Sequence, residues 1–188
     1  MLAHLHYAKQ LSNAWDVLLL FLLPIGGGIP AGVVLAQKRG LAWPLMLFLY
    51  FISDLILACV FEPLLLLFIK ASEHSPFLFR IRQAFARAMS KIIARYGINP
   101  GPLSLIMITT GTDPMTGRTI AMAAGHGFIV GWALTIAGDM LYFTLLMVST
   151  LWLNHILGDG TVATIIIMVA MIAVPPLVRK MRKFWIVI

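Results

Sequence analysis

Long stretches without charge alternate with short basic stretches along this chain. No Asp, Glu, Lys or Arg occurs at 17–37, 41–53, 140–157 or 161–178. A helix that crosses a bilayer needs about 20 mostly apolar residues, because it must span roughly 30 Å at a rise of about 1.5 Å per residue. The pattern predicts five apolar segments, at 14–36, 41–69, 103–124, 128–156 and 161–178. Two of them are broken in the middle. Pro24-Ile25-Gly26-Gly27-Gly28-Ile29-Pro30 interrupts the first, and Gly111-Thr112-Asp113-Pro114-Met115-Thr116-Gly117-Arg118 interrupts the third. Proline lacks the amide donor and glycine destabilises a helix interior, so neither broken segment is expected to form one straight helix.

Residues 70–97 differ in kind. Ser75-Pro76 is a strong helix start, with serine as cap and proline in the first turn. Leu78, Ile81, Phe85, Met89, Ile92 and Tyr96 then recur at helical spacing, while Arg80, Arg87, Lys91 and Arg95 mark another face. Gly97 and Asn99-Pro100 end the pattern. Such a basic amphipathic helix lies on a membrane surface, or else is a solvated helix between spans.

The two halves of the chain repeat a pattern. Gly32, Ala36, Gly40 and Asp54 correspond to Gly117, Ala121, Gly125 and Asp139, each pair separated by the same interval of 85 residues. Each half is thus a broken segment carrying Gly-x3-Ala-x3-Gly, followed by a long apolar segment with one aspartate. Matching Gly/Pro-interrupted segments in two halves point to a transporter-like binding site. Charge placement bears on topology. If all five segments crossed, the 70–97 helix and the basic tail Arg179, Lys180, Arg182 and Lys183 would lie on opposite faces, against the positive-inside rule. If each broken segment is a re-entrant hairpin, both clusters are cytoplasmic and the repeat is inverted. If only the second broken segment is re-entrant, both clusters again lie inside, together with the N-terminus.

The expected fold is therefore an all-α integral membrane protein of two inverted repeats. Each repeat is a broken, re-entrant helical hairpin plus a long transmembrane helix. A basic amphipathic helix lies between the repeats and a final transmembrane helix follows them. As one membrane domain over 1–188, it divides into repeat one at 14–69, an amphipathic linker at 70–100, repeat two at 101–157, and a C-terminal helix with basic tail at 161–188.

Composition agrees with this and narrows the function. The chain is 61% hydrophobic and 11% charged, against roughly 45–50% and 25% for an ordinary soluble domain. The net charge of +7 does not imply nucleic acid, because the basic residues cluster beside apolar segments and no nucleic-acid motif accompanies them. One cysteine, Cys59, allows no internal disulfide. No cleaved leader is expected, since Lys9 and the apolar run after it are not followed by a small-x-small site. No nucleophile elbow, P-loop, dinucleotide fingerprint or metal-ligand set is present, so neither an enzyme, a cofactor nor a metal is expected; His4-Leu5-His6 alone has no further ligand near it. Trp15, Trp43, Trp152 and Trp185 read as interface anchors.

Two short motifs carry a family resemblance. Gly28-Ile29-Pro30-Ala31-Gly32 resembles the first-repeat signature of the small multidrug export family, with Gly26-Gly27 where that family often has an acidic residue and arginine. Pro114-Met115-Thr116-Gly117 with Ala121 resembles its second-repeat Pro-x-Thr-Gly signature. That family is similar in turn to the DedA/VTT membrane proteins, and Gly138-Asp139 with Tyr142 is loosely like their Gly-Asp and aromatic pattern. The resemblance covers roughly residues 20–150. It implies two opposed re-entrant hairpins and movement of phosphorylated polyprenyl or other lipids, often with proton dependence.

Ionisable residues inside apolar segments cost at least about 2.5–3.5 kcal/mol each at a helix centre, so Asp54, Glu62, Asp113, Arg118 and Asp139 are the candidate substrate-binding or proton-coupling residues. In an inverted repeat Asp54 and Asp139 approach one another, where repulsion and desolvation would leave a proton on one of them; alternatively they cap hairpin amides. Arg118 either forms an anion site with the hairpin amides or pairs with Asp113. Glu62, before Pro63, faces a cavity or the interface. His126 is a proton relay or a simple hydrogen-bonding group. The break residues are Gly26, Gly27, Gly28, Pro30, Gly32, Pro114, Thr116 and Gly117. The Gly-x3-Ala-x3-Gly runs favour close helix packing. The expected function is a small secondary transporter or lipid flippase of the cell inner membrane, multi-pass, proton-coupled, moving an anionic or phosphate-bearing substrate. Its expected partners are membrane lipids and a second copy or a larger membrane complex. The rival is a non-transporting subunit or scaffold.

Overall fold

The computed structural model describes residues 14–22, 28–94 and 101–185, with side chains except at 92 and 174–185. Among these residues the chain is all helical, with eight helices and no strand: α1 (14–22), α2 (Gly28–Lys38), α3 (Trp43–His74), α4 (Pro76–Ala94), α5 (Pro102–Thr109), α6 (Pro114–Ala123), α7 (Phe128–Leu157) and α8 (Gly160–Trp185). Gly26 and Gly27 lie outside the described residues, and Gly28 opens α2.

Two helices, α3 of 32 residues and α7 of 30, are long and apolar enough to cross a membrane. Only 22% of the most apolar window of α3 is buried in the protein, whereas a soluble core helix would be mostly covered. Phe48, Val60, Leu66 and Leu67 of α3 and Ile129, Leu141 and Leu145 of α7 are exposed. So large an uncovered apolar surface is suited to hydrocarbon rather than to water. Trp15, Trp43 and Trp152 are also exposed.

Three boundaries differ from expectation. The second apolar segment does not stop at 69: α3 continues through the polar turn to His74, and α4 starts directly after Ser75. Pro63 lies inside α3 without ending it; a proline removes one hydrogen bond, and a helix this long retains enough others to continue. The last helix runs on to Trp185, but its apolar described part, Gly160–Ala173, is shorter than a span. Asp159 starts it by accepting from the Thr161 amide at 2.7 Å. The Thr161 and Val162 amides hold the Asp159 carboxyl below its ordinary pKa.

The second broken segment is a pair of short helices. α5 has 8 residues and α6 has 10, so they measure about 12 and 15 Å, each half a bilayer core or less. The turn between them uses Gly111 at φ +82°, a conformation that favours glycine. Pro102 and Pro114 both sit in first turns, where the missing amide costs nothing.

The chain divides into two compact units, one of residues 1–49 and 143–188, the other Tyr50–Tyr142. In the first, α2 packs on α8, where Gly160 admits Val34: a Cβ at Gly160 would stand 2.4 Å from Val34 Cγ1. Phe21 meets Phe143 edge to face at 5.3 Å and fills the space over Gly32. Asp16 pairs with Arg39. In the second unit, α6 packs on α4 and α5. One core there joins Met89, Ile93, Leu105, Ile108, Ile120 and Leu134. A smaller one joins Ala58, Trp132 and Ile136, with Phe61 edge to face on Trp132 at 6.2 Å.

Candidate functional site

The second unit holds two layers of buried polar groups between α3 and α7. Asp54 and Asp139 form the first, 1% and 2% exposed. They are close enough to act on one another electrostatically. The Tyr50 hydroxyl, one turn before Asp54, donates to Asp139 Oδ2 at 2.9 Å. Ser53, fully buried beside Asp54, donates to the Tyr50 carbonyl at 2.7 Å. Asp54 Oδ2 is buried with no hydrogen-bond partner. The Asp139 charge acts on Tyr142, and the Asp113 charge acts on Asp139. No lysine or arginine among the described residues pairs with either aspartate. A carboxylate held this dry normally has a cation or a full set of donors. The pair is therefore suited to exchanging a proton, and its neighbouring groups are acidic or phenolic rather than basic.

α7 approaches α5 closely just before Asp139. A Cβ on Gly138 would lie 2.2 Å from Thr109 Oγ1 and 2.7 Å from the Ile106 carbonyl oxygen. Only glycine lets the α5 turn sit there, and that close approach fixes the height of Asp139 against the hairpin. Gly117 does the same for α6, where a Cβ would stand 2.5 Å from Thr135 Cγ2. The small residues thus act in helix packing.

The second layer lies about two turns away along both helices. Arg118, 4% exposed, grips Glu62 with Nε at 2.9 Å to Oε2 and Nη2 at 2.8 Å to Oε1. The Trp132 indole donates to the same Oε2 at 2.9 Å, and Arg118 Nη1 donates to the His126 carbonyl oxygen at 3.5 Å. A planar guanidinium matched to both carboxylate oxygens is the strongest form of this pairing. Gly131 makes room for it, since a Cβ there would meet Arg118 Nη1 at 2.8 Å.

This arrangement corrects two expectations. Arg118 does not pair with Asp113, and its guanidinium is engaged by Glu62 rather than left for an anion. Asp113 instead caps α6: its Oδ1 accepts from the Thr116 amide at 2.9 Å, and its Oδ2 from the Thr116 hydroxyl at 2.6 Å. Asp113-Pro114-Met115-Thr116-Gly117 is thus a helix start followed by a close-packing glycine. The capping suggested for Asp54 and Asp139 belongs to Asp113 instead, whereas Asp139 accepts from the Tyr50 hydroxyl. Glu62 is 7% exposed and its carboxylate is taken up by Arg118 and Trp132 rather than open to a cavity.

Sequence reasoning missed Tyr50 and Trp132. Tyr50 is four residues before Asp54 and Trp132 seven before Asp139, so each shares a helix face with its aspartate, and that spacing was the available signal. Glu62–Arg118 had none, being 56 residues apart. Among the described residues no group of three His, Cys, Asp or Glu side chains suits a metal ion.

Comparison of the chain with protein-family models, with curated proteins and with solved structures gives no match.

Proposed function

We propose that this chain is a small multi-pass secondary transporter or lipid flippase of the inner membrane, in which the Asp54–Asp139 pair couples movement of substrate to movement of a proton. One observation carries the reading: two aspartates at matching positions of a repeated pattern are both buried, near enough for the Asp139 charge to act on Asp54, and Asp54 Oδ2 has no hydrogen-bond partner. Two such groups in helices apolar enough to cross a membrane are costly, and a scaffold gains nothing from them. Proton transfer requires a site that is complete with or without its proton. Tyr50 supplies a donor to ionised Asp139, and the bare Asp54 oxygen can receive a proton.

An inverted arrangement with re-entrant hairpins fits this function. In this reading α5 and α6, each too short to cross, form a hairpin that returns to its own side, so that α4 and the basic tail share the cytoplasmic face required by the positive-inside rule. The substrate in this reading is anionic or phosphate-bearing, the class favoured by the resemblance to DedA-like proteins and by the basic face of α4. Arg118 is not its ligand, being held by Glu62. The topology is tested by replacing Cys59 and labelling single cysteines at Arg87 and Arg182. Labelling from the cytoplasmic side at both sites is expected; opposite sides would exclude it. The activity is tested in proteoliposomes with fluorescently labelled phosphatidylglycerol, with and without a pH gradient. Gradient-dependent translocation is expected, and none above protein-free vesicles would refute a lipid substrate.

A further inference from the structure

Beneath α4 lies a groove of about 550 Å³, within the size range of ligand pockets. Leu64 and Phe68 of α3, Phe85 and Met89 of α4 and Met122 of α6 line it, all apolar. The α3 wall belongs to a helix apolar enough to cross a membrane, and Leu64 is 56% exposed. The groove is thus continuous with a hydrocarbon-facing surface. Thr119 and Arg82 are the polar members of its lining, and Arg82 alone is charged. The Arg82 guanidinium stacks over the Phe79 ring at 5.4 Å, and among the described residues no carboxylate pairs with it. An arginine that is half-buried, unpaired and held flat by an aromatic ring presents its fork to a phosphate.

We infer that this groove binds one anionic phospholipid, its acyl chain along Leu64, Phe68 and Phe85 and its phosphate on Arg82. The apolar wall selects a chain and the arginine selects negative charge; a free phosphate lacks the chain, and a zwitterionic lipid has the same phosphate but sets a quaternary ammonium beside the arginine, so an anionic phospholipid fits best. The bound lipid fixes α4 to α3 and α6 from outside the polar layers. This holds whether or not the protein transports, because it needs only membrane residence.

The test is native mass spectrometry of the delipidated full chain, titrated with phosphatidylglycerol and phosphatidylcholine of identical chains. One phosphatidylglycerol is expected to bind at least about tenfold more tightly, as for a charge-assisted contact. Arg82→Gln should abolish the preference, while Arg87→Gln, on the same helix but away from the groove, should keep it. Ala86→Trp, which fills the groove, should weaken both lipids. An unchanged preference in Arg82→Gln, an equal loss in Arg87→Gln, or full binding by Ala86→Trp would overturn the inference. Should Arg82→Gln not remain monodisperse, Arg82→Lys and Ala86→Trp decide it by the same criteria.

Discussion

Gly32 to Gly40 and Gly117 to Gly125 follow the same backbone course but carry different chemistry. In both, the amide three residues past the helix end closes back on a buried alanine: Leu41 to the Ala36 carbonyl at 2.9 Å, and His126 to the Ala121 carbonyl at 3.0 Å. The amides of Gly40 and Gly125 bond Gln37 and Met122 at 3.0 Å, and both glycines have positive φ, +72° and +88°. This is one cap, used twice, and in each case a long helix with a buried aspartate follows. The side chains diverge. Val33, fully buried in apolar contact, stands where the second half has Arg118, and Gly28 stands where it has the cap Asp113. The two stretches therefore share a helix end, while among the described residues only the second carries a buried ion pair; the Arg39–Asp16 pair of the first is partly exposed.

The largest expected effect breaks that asymmetry. Arg118→Leu leaves Glu62 buried and unpaired and should cost about 3–5 kcal/mol in thermal unfolding in detergent. Val33→Ala, at the matching position, should cost about 2 kcal/mol, from two methyl groups. Arg118→Leu with Glu62→Leu should recover much of the loss; a double variant as unstable as the summed singles would show that the two groups are not coupled.

Next come the close-packing glycines. Gly138→Ala drives a methyl group into a backbone carbonyl and should cost about 1–3 kcal/mol or more. Gly32→Ala meets only the Phe21 ring, at 2.4 Å, and that ring turns more easily than a backbone moves. Its cost should be smaller in the same unfolding assay, and the reverse order would contradict the packing account.

Gly40→Ala and Gly125→Ala sharpen the likeness. Neither Cβ meets anything within 4 Å, so only the positive φ is penalised, by about 1 kcal/mol at each site. Unequal losses would mean that the caps differ. The smallest effect is at Asp159, which has no counterpart in the repeat. Its lowered pKa means that the ionised carboxyl stabilises the fold above the ordinary aspartate range, near 3.9. That contribution disappears as pH falls through the folded value. Asp159→Asn should unfold slightly sooner at pH 7 and match the parent in strong acid.

Much of this was legible in the chain because the signals are local. Ser75-Pro76 marks the start of α4, the run at 111–118 marks the break between α5 and α6, and long apolar runs mark α3 and α7. The Asp54–Asp139 pair was legible through the constant interval. What was not legible depends on distant partners. Glu62 and Arg118 meet only after α3, α6 and α7 pack, so the local charge Asp113 looked the better mate for Arg118. Extension of α3 from 69 through the polar turn to His74 depends on the cooperativity of a long helix, which outweighs the loss of apolar residues there.

The central claim is that Asp54 and Asp139 exchange the proton that drives transport. The direct measurement is translocation of labelled phosphatidylglycerol in proteoliposomes across a range of pH and of pH gradient, for the parent, Asp54→Asn, Asp139→Asn and Asp113→Asn. Asparagine keeps the size and an acceptor oxygen but cannot exchange a proton near neutral pH. The account predicts that Asp54→Asn and Asp139→Asn insert and fold yet lose gradient-driven activity, while Asp113→Asn, whose amide oxygen still caps α6, retains it. Normal pH dependence in both Asp54→Asn and Asp139→Asn would contradict the account and leave the buried pair a structural feature.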